Sequence, residues 1–378
     1  MLKQIIAFNG KAGCVDKDTE FLTPSGWKKI NEYNYDKVAV YYEDGSVKYE
    51  DALDYIAAPA TIWYSFKTKY GLDQKLSEEH KVAYKTSKGN LYSKSMYKVY
   101  DNHLKTGFKG RFITNFNSEG TLYLPIHDDY LRLYVAICAD GTELITNNTF
   151  RINIKKERKK ERLEHLLGSC RIEYSKFDGK IGSIDEGHSY YRFKVAGGFK
   201  IFPKEYYSLC KEQLQIICDE VTFWDGNYGG KNNQYFSNVK QNADFIQFVF
   251  TTCGYRATIW EDNHRKNTNY VVHKSKRTLI GLDIKTKGRY TEINKTEALE
   301  NEYKYCFTTS TGYWVARRNN KIFITGNSGK DYNSNKLVLE QGFTKYSFAD
   351  SLRKVAYDVL GMEPLSQEEY DAFKGEEL

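Results

Sequence analysis

Two glycine-rich fragments at opposite ends of this chain read as halves of a single loop. Residues 8–13 are FNGKAG and residues 328–333 are SGKDYN; set end to end they give G-K-A-G-S-G-K-D. In that joined order Gly10, Gly13 and Gly329 let successive backbone N–H groups converge on phosphate oxygens, and Lys330 reaches the outer phosphates. Asp331 stands where a Ser or Thr normally holds magnesium. A cradle of this kind works only as one continuous turn, so the loop is broken while residues 14–327 separate its halves. That segment begins with Cys14 and ends with Gly326-Asn327, followed by the hydroxyl of Ser328.

Those end groups are the ones a segment needs to cut itself out. A thiol carries some thiolate near neutral pH, so Cys14 suits the first attack, which turns the amide before it into a thioester. Ser328 then takes the acyl group, and the Asn327 side-chain amide attacks its own carbonyl to release the chain. The first amide has to be polarised by hydrogen-bond donors placed around its carbonyl.

With 378 residues the chain has room for two or three domains. Aromatic residues make up 15%, with 32 Tyr against 5 Pro, which favours strand-rich globular structure over disorder. A net charge of +7 is a modest excess at this length and selects no partner by itself. Seven cysteines, an odd number without paired metal-like spacing, and an N-terminus lacking signal-peptide regions point to a reducing, cytoplasmic setting. No apolar run approaches the roughly 20 residues that cross a bilayer, so no membrane role is expected.

Along the chain, LKQIIAFN reads as a buried strand entering the first half-loop, and residues 1–13 form one flank. Residues 14–125 open as an all-β block of short alternating stretches, including a Glu-Asp-Gly turn in VAVYYEDGSVKYE. Residues 101–127 carry no clear period. Residues 126–290 form an α+β segment that reads as two copies of one unit: an apolar helix ending in Asp-Gly, then a strand and a helix in the first copy and a helix and a strand in the second. DDYLRLYVAICADG begins the first αββα-type unit and KEQLQIICDEVTFWDG the second. Strands return in 291–327, and 328–378 reads as helical. The expectation is a domain inserted into a second, itself inserted into a third.

CVDKDTEFLTPSGWKKI resembles the opening block of Hint-fold inteins, with Cys14, Asp18, Thr19, Thr23, Gly26 and Ile30 at the expected intervals. LSEEHKV looks like their T-x-x-H block, with Ser77 in place of the threonine. The resemblance implies that His80 protonates the amide nitrogen at the first junction. YCFTTSTGYWVARRNNKIFITGNS resembles the terminal block, with Cys306 where many inteins carry an aspartate. Gly326 replaces the usual histidine before the terminal asparagine, and the histidine expected inside the terminal block is absent. Alone, a cysteine, a histidine or an Asn-Ser pair is an ordinary core or turn residue; both ends together with a healed loop are not. Splicing needs no cofactor.

LYVAICADG and CDEVTFWDG look like the paired motifs of LAGLIDADG homing endonucleases, in which two packed helices set their terminal aspartates side by side. The resemblance assigns Asp140 and Asp225 to Mg2+ and makes double-stranded DNA the partner. Lys155, Lys156, Lys159 and Lys160, and the later Lys274, Lys276 and Arg277, are candidates for its phosphates, although interleaved Glu157 and Glu161 also suit a solvated helix face. The joined G-K-D loop and YSFADSLRKVAYDVLGM resemble phage-type deoxynucleoside monophosphate kinases, which implies ATP, Mg2+ and nucleotides after splicing. The kinase portion is short, which suggests that the reading frame stops early, and a monomer is expected. Two alternatives are a kinase that retains a nucleic-acid-binding insertion, and a splicing segment whose endonuclease is inactive.

Overall fold

The turns explain why the first hundred residues fold as strands. Glu20–Thr23 pairs with Gly26–Lys29 around Pro24-Ser25, with Thr23 opposite Gly26. Gly26 has φ +111°, a conformation that strains any residue with a Cβ, and the Thr23 hydroxyl donates to its carbonyl at 2.8 Å. The Glu-Asp-Gly turn joins Val38–Tyr41 to Ser46–Glu50, with Gly45 at φ +90° and the Asp44 carboxylate accepting the Ser46 N–H at 2.8 Å. The computed structural model describes residues 13–326, apart from Tyr70, Ser183 and the segments 145–147, 227–233, 264–267 and 284–289.

Five helices are described: α1 Met96–Thr106, α2 Asp128–Asp140, α3 Glu157–Ser169, α4 Lys211–Trp224 and α5 Lys240–Thr252. Residues 101–127 complete α1 and then supply the short strands Arg111–Ile113 and Asn117–Ser118. A helix, strand and helix order occurs twice, with two strands in the first copy and one described strand in the second. Strands Gly141–Glu143 and Thr149–Ile154 lie between α2 and α3, and Gln234–Ser237 lies between α4 and α5. After α3 comes the hairpin Tyr174–Asp178 and Ser189–Lys194; after α5 comes Arg256–Asp262 and Asn269–Ser275. Leu279–Gly281 pairs with Arg111–Ile113, tying the end of the second unit to the first β block.

One sheet joins what the sequence divides. It runs from Asn117–Ser118 through Ser46–Glu50, Val38–Tyr41, Tyr313–Arg318 and Lys321–Gly326 to Arg256–Asp262, Asn269–Ser275 and Gln234–Ser237. The crossing is narrow: Thr258 faces Lys321, and the Ile259 N–H reaches the Asn320 carbonyl at 3.3 Å. The terminal hairpin therefore has a hydrophobic core on each side. Val315, Ile322 and Ile324 pack with the helices, whereas Trp314, Ala316 and Phe323 pack with the first β block, as strand alternation requires.

A buried cation fastens this wall. Arg317 is 1% exposed; its guanidinium takes Glu20 at 2.7 and 2.8 Å, Asp244 on α5 at 2.5 Å and Gln247 at 3.1 Å, and lies over the Trp27 ring. Removing one partner of a buried ionic cluster strands the others. Arg317→Ala is expected to lower stability by about 3–5 kcal/mol in denaturant unfolding, whereas Lys28→Ala, which opens a partly exposed pair with Asp36, costs under about 1 kcal/mol.

Candidate functional site

Four of the residues singled out in the sequence meet at one place. Cys14 is fully buried, and its N–H donates to the Ser77 hydroxyl at 2.9 Å while its carbonyl accepts the Ser77 N–H at 2.9 Å. Val15 and Tyr305 exchange both backbone hydrogen bonds, at 2.8 and 2.9 Å. That register places Cys14 opposite Cys306, and the two thiols hydrogen-bond. This contact and burial push the Cys306 thiol well above its ordinary range, so it stays protonated.

His80 is also fully buried. Its backbone is pinned by its own N–H to the Ser77 carbonyl at 3.1 Å and by the Met96 N–H to its carbonyl at 2.8 Å. Gly13 lies against it so closely that a Cβ there would sit 2.3 Å from the His80 Cα. Glycine at that position is thus demanded by close approach. Across the ring, Nε2 lies 2.5 Å from the Thr325 hydroxyl. Burial pushes the imidazole down to about 4, against a smaller opposite effect of a hydrogen bond with the Gly13 backbone, so it is neutral at pH 7. His80 therefore touches the chain on both sides of the segment, at Gly13 and two residues before Asn327.

Gly326 has no room for a histidine side chain. A Cβ would lie 2.9 Å from the Lys81 carbonyl and 3.2 Å from the Tyr313 ring. Next to the cluster, Arg318 binds Asp16 and Asp73, which ties the segment after Cys14 to the strand Asp73–Ser77. Asn327, Ser328, Gly10, Gly329, Lys330 and Asp331 lie outside the described residues.

The second constellation stands at the ends of α2 and α4, which pack against each other. Both Asp-Gly steps have one cause. A Cβ on Gly141 would lie 2.5 Å from the Ile137 carbonyl, and one on Gly226 2.4 Å from the Thr222 carbonyl, so only glycine lets the chain double back on its own helix there. Asp140 and Asp225 end up as neighbours. Burial, and next the Asp140 charge, push the Asp225 carboxyl up to about 6.

Two cations attend them. Lys159 forms an ion pair with Asp140, which separates it from the other basic candidates on that stretch; Lys155 and Lys156 are exposed, and Lys160 pairs with Glu157 at 3.3 Å. Lys200, which no motif in the sequence marks, donates to the last carbonyls of α2, at 3.0 Å to Ile137 and 2.6 Å to Cys138, and burial lowers its pKa. Arg162 grips the buried Glu220 with two bonds, at 3.1 and 2.5 Å. Lys274 lies over the Phe250 and Tyr255 rings, and Lys276 and Arg277 are exposed.

Among the described residues no three His, Cys, Asp or Glu side chains cluster as a closed metal site. Two carboxylates that repel each other nevertheless fit a hard divalent cation, which commonly takes one or two carboxylates and fills its remaining positions with water and phosphate. No described helix is long and apolar enough to cross a membrane.

No known family matches the chain, and no curated protein does. Among solved structures, the chain is similar to mesophilic variants of the homing endonuclease I-DmoI, at 15% identity over 40% of this chain and 89% of that one, with a TM-score of 0.30. It is also similar to the AceL NrdHF class 3 split intein in a glutathione-linked, splice-inactive form, at 10% identity over 83% and 97% of the two chains, with a TM-score of 0.31. The N-terminal LAGLIDADG domain of DUF199/WhiA matches at 12% identity over 42% and 81%, with a TM-score of 0.31. Likenesses this low decide neither the fold nor the activity of this chain.

The raised Asp225 carboxyl has a measurable consequence. It holds its proton up to about 6 when folded but only to 3.8 when unfolded, so this group's contribution to stability is full below about 4 and is lost as pH rises through about 6. Asp225→Asn is expected to stabilise the chain by about 2–3 kcal/mol at pH 8, with the gain vanishing by pH 4, as followed by thermal unfolding across that range.

Proposed function

We propose that residues 14–327 form a self-excising segment that joins Gly13 to Ser328 and carries a DNA-cleaving domain within it. The observation that carries this reading is the placement of one buried histidine against Gly13 on one side and Thr325 on the other, with Cys14 beside it. In terms of class, the chain is a self-processing protein of the Hint type. In particular, it is read as an intein with an embedded LAGLIDADG endonuclease, lodged in the phosphate loop of a nucleotide kinase.

The first step forms a carbon–sulfur bond between the Cys14 Sγ and the Gly13 carbonyl carbon and breaks the Gly13–Cys14 amide; the thiol proton ends on the freed nitrogen. Ser77 already engages that N–H, and the neutral His80 ring lies at the Gly13 peptide. Cys306 keeps its proton and fills the space beside the nucleophile. The Ser328 hydroxyl then displaces the thiol, Asn327 cyclises and releases the segment, and the resulting ester rearranges to the Gly13–Ser328 amide. Closing that bond completes Gly10, Gly13, Gly329, Lys330 and Asp331 as a loop for ATP phosphates with Mg2+. A deoxynucleoside monophosphate kinase follows from the sequence of these flanks alone.

In the endonuclease reading, Asp140 and Asp225 hold a divalent cation, which when bound neutralises phosphate charge and sharpens a water for attack. Lys159 and Lys200 keep the carboxylate pair charge-balanced before DNA arrives. In this reading the exposed Lys155, Lys156, Lys276 and Arg277 supply positive charge for DNA phosphates.

Intact-mass analysis after expression is expected to resolve a short ligated product and a free segment from the parent, and only full-length chain from Cys14→Ala, Asn327→Ala. Identical masses in the two would overturn the splicing reading. Linearisation of a plasmid that carries the uninterrupted loop sequence is expected with Mg2+ and is lost, by a factor of about a hundred or more, in Asp140→Ala. An equal cut by that variant removes the metal-pair assignment.

A further inference from the structure

We propose that Cys14 and Cys306 are an oxidisable pair: a peroxide joins their sulfurs in a cross-strand disulfide, which holds the first nucleophile in an unreactive form that a reductant recovers. The bond itself rests on strand register and thiol contact; its effect on excision rests on the splicing reading.

The main chain sets the two residues side by side. Val15 and Tyr305 exchange both backbone hydrogen bonds, at 2.8 and 2.9 Å, so they form a hydrogen-bonded antiparallel pair. The next pair along, Cys14 and Cys306, is then of the other kind, in which no backbone bonds intervene and the Cα atoms approach to about 4.5 Å. That spacing lies inside the window a disulfide spans, and directly opposed residues carry their Cβ atoms on the same face. Neither residue is free to drift. The Cys14 N–H and carbonyl are both held by Ser77, at 2.9 Å each, and Cys306 is paired on its other side with Ile56 in the strand Asp54–Pro59. The two thiols are reduced and in contact.

Both residues are fully buried, so the oxidant has to be close to water in size, as hydrogen peroxide is and glutathione disulfide is not. Cys306 keeps its proton, which leaves Cys14 as the sulfur that meets the oxidant. Its attack on hydrogen peroxide forms an S–O bond, breaks the O–O bond and releases one water. The Cys306 sulfur then attacks the sulfenic sulfur; the S–S bond forms, the S–O bond breaks, and the Cys306 proton leaves in a second water. Two thiols lose two electrons and one peroxide gains them. While the bond stands, Cys14 has no thiolate to add to the Gly13 carbonyl. Without the Cys306 thiol, the sulfenic acid is open to a second peroxide, which carries it to the irreversible sulfinic acid.

The test uses the full chain carrying Asn327→Ala and Ser328→Ala, which keeps Cys14 and blocks the later steps. After treatment with hydrogen peroxide and alkylation of the remaining thiols, tryptic mapping without reductant is expected to find peptide 12–17 joined to peptide 305–317, two hydrogens lighter than their sum. Dithiothreitol separates them, and Cys306→Ser never yields the joined pair. Cys14 recovered alkylated, as its sulfinic acid or bonded to another cysteine overturns the proposal. The parent map decides this even if the serine variant fails to fold. In a second arm, the same chain is treated with hydroxylamine, which cleaves a thioester and leaves a disulfide intact. The fraction cut at Gly13–Cys14 is expected to fall in step with the joined fraction and to return after reduction, whereas the Cys306→Ser chain stays uncut after the same exposure and reduction. Cleavage that ignores the joined fraction, or equal recovery in the serine variant, overturns the guarding role. If the untreated parent is not cut, the splicing reading fails, while the peptide map still tests the bond.

Discussion

The strand Lys321–Gly326 is buried along its whole length, and the rest of the molecule depends on that burial. Ile322 and Ile324 close the helical core, while Phe323 closes the core of the first β block. A strand held on both faces cannot slip by one residue without exchanging its two sets of side chains between cores. Register there is therefore strongly determined, and with it the position of Thr325 against His80. The Arg317 cluster adds to this by binding α5 and the first hairpin to the strand beside it. The same hairpin brings Thr325 to His80 and packs against the helices, so the first β block and the helical segment share a wall.

Desolvation disfavours charge at both sites and so moves a base and an acid in opposite directions. At His80 it removes charge from a base and leaves a neutral ring able to hold one directed proton. At Asp225 it raises the cost of a charge that a neighbouring carboxylate already opposes. The first is a place for moving a proton without a net ion; the second is a place that gains from a cation. Lys159 supplies positive charge there as the ion-pair partner of Asp140, and Lys200 supplies it from the last carbonyls of α2.

Much of this was legible in the sequence because chemistry fixes residue type and spacing together. Cys14 at a junction, His80 three residues after Ser77, and the two Asp-Gly steps each follow from a short local rule, and the helices ending at Asp140 and near Asp225 lie where their apolar runs placed them. Lys200, Thr325 and Arg317 were not legible, since each acts through partners far away in the chain: 62 positions for Lys200 to Cys138, 245 for Thr325 to His80, and 297 for Arg317 to Glu20. The basic stretch 155–162 reads as one charged face in the sequence. In the fold it divides, because Lys159 turns to Asp140 and Arg162 to Glu220 while Lys155 and Lys156 stay in solvent. The sheet shared through Thr258 and Lys321 has no local signal either, as it joins strands from two units through a single pair.

The central claim is that the chain removes its own middle and seals what remains. Proteolytic digestion of freshly expressed wild-type chain followed by tandem mass spectrometry tests it most directly. A fragment in which Gly13 is bonded to Ser328 is the predicted result; fragments that hold only Gly13–Cys14 and Asn327–Ser328, after incubation with reductant over a range of temperatures, would contradict it.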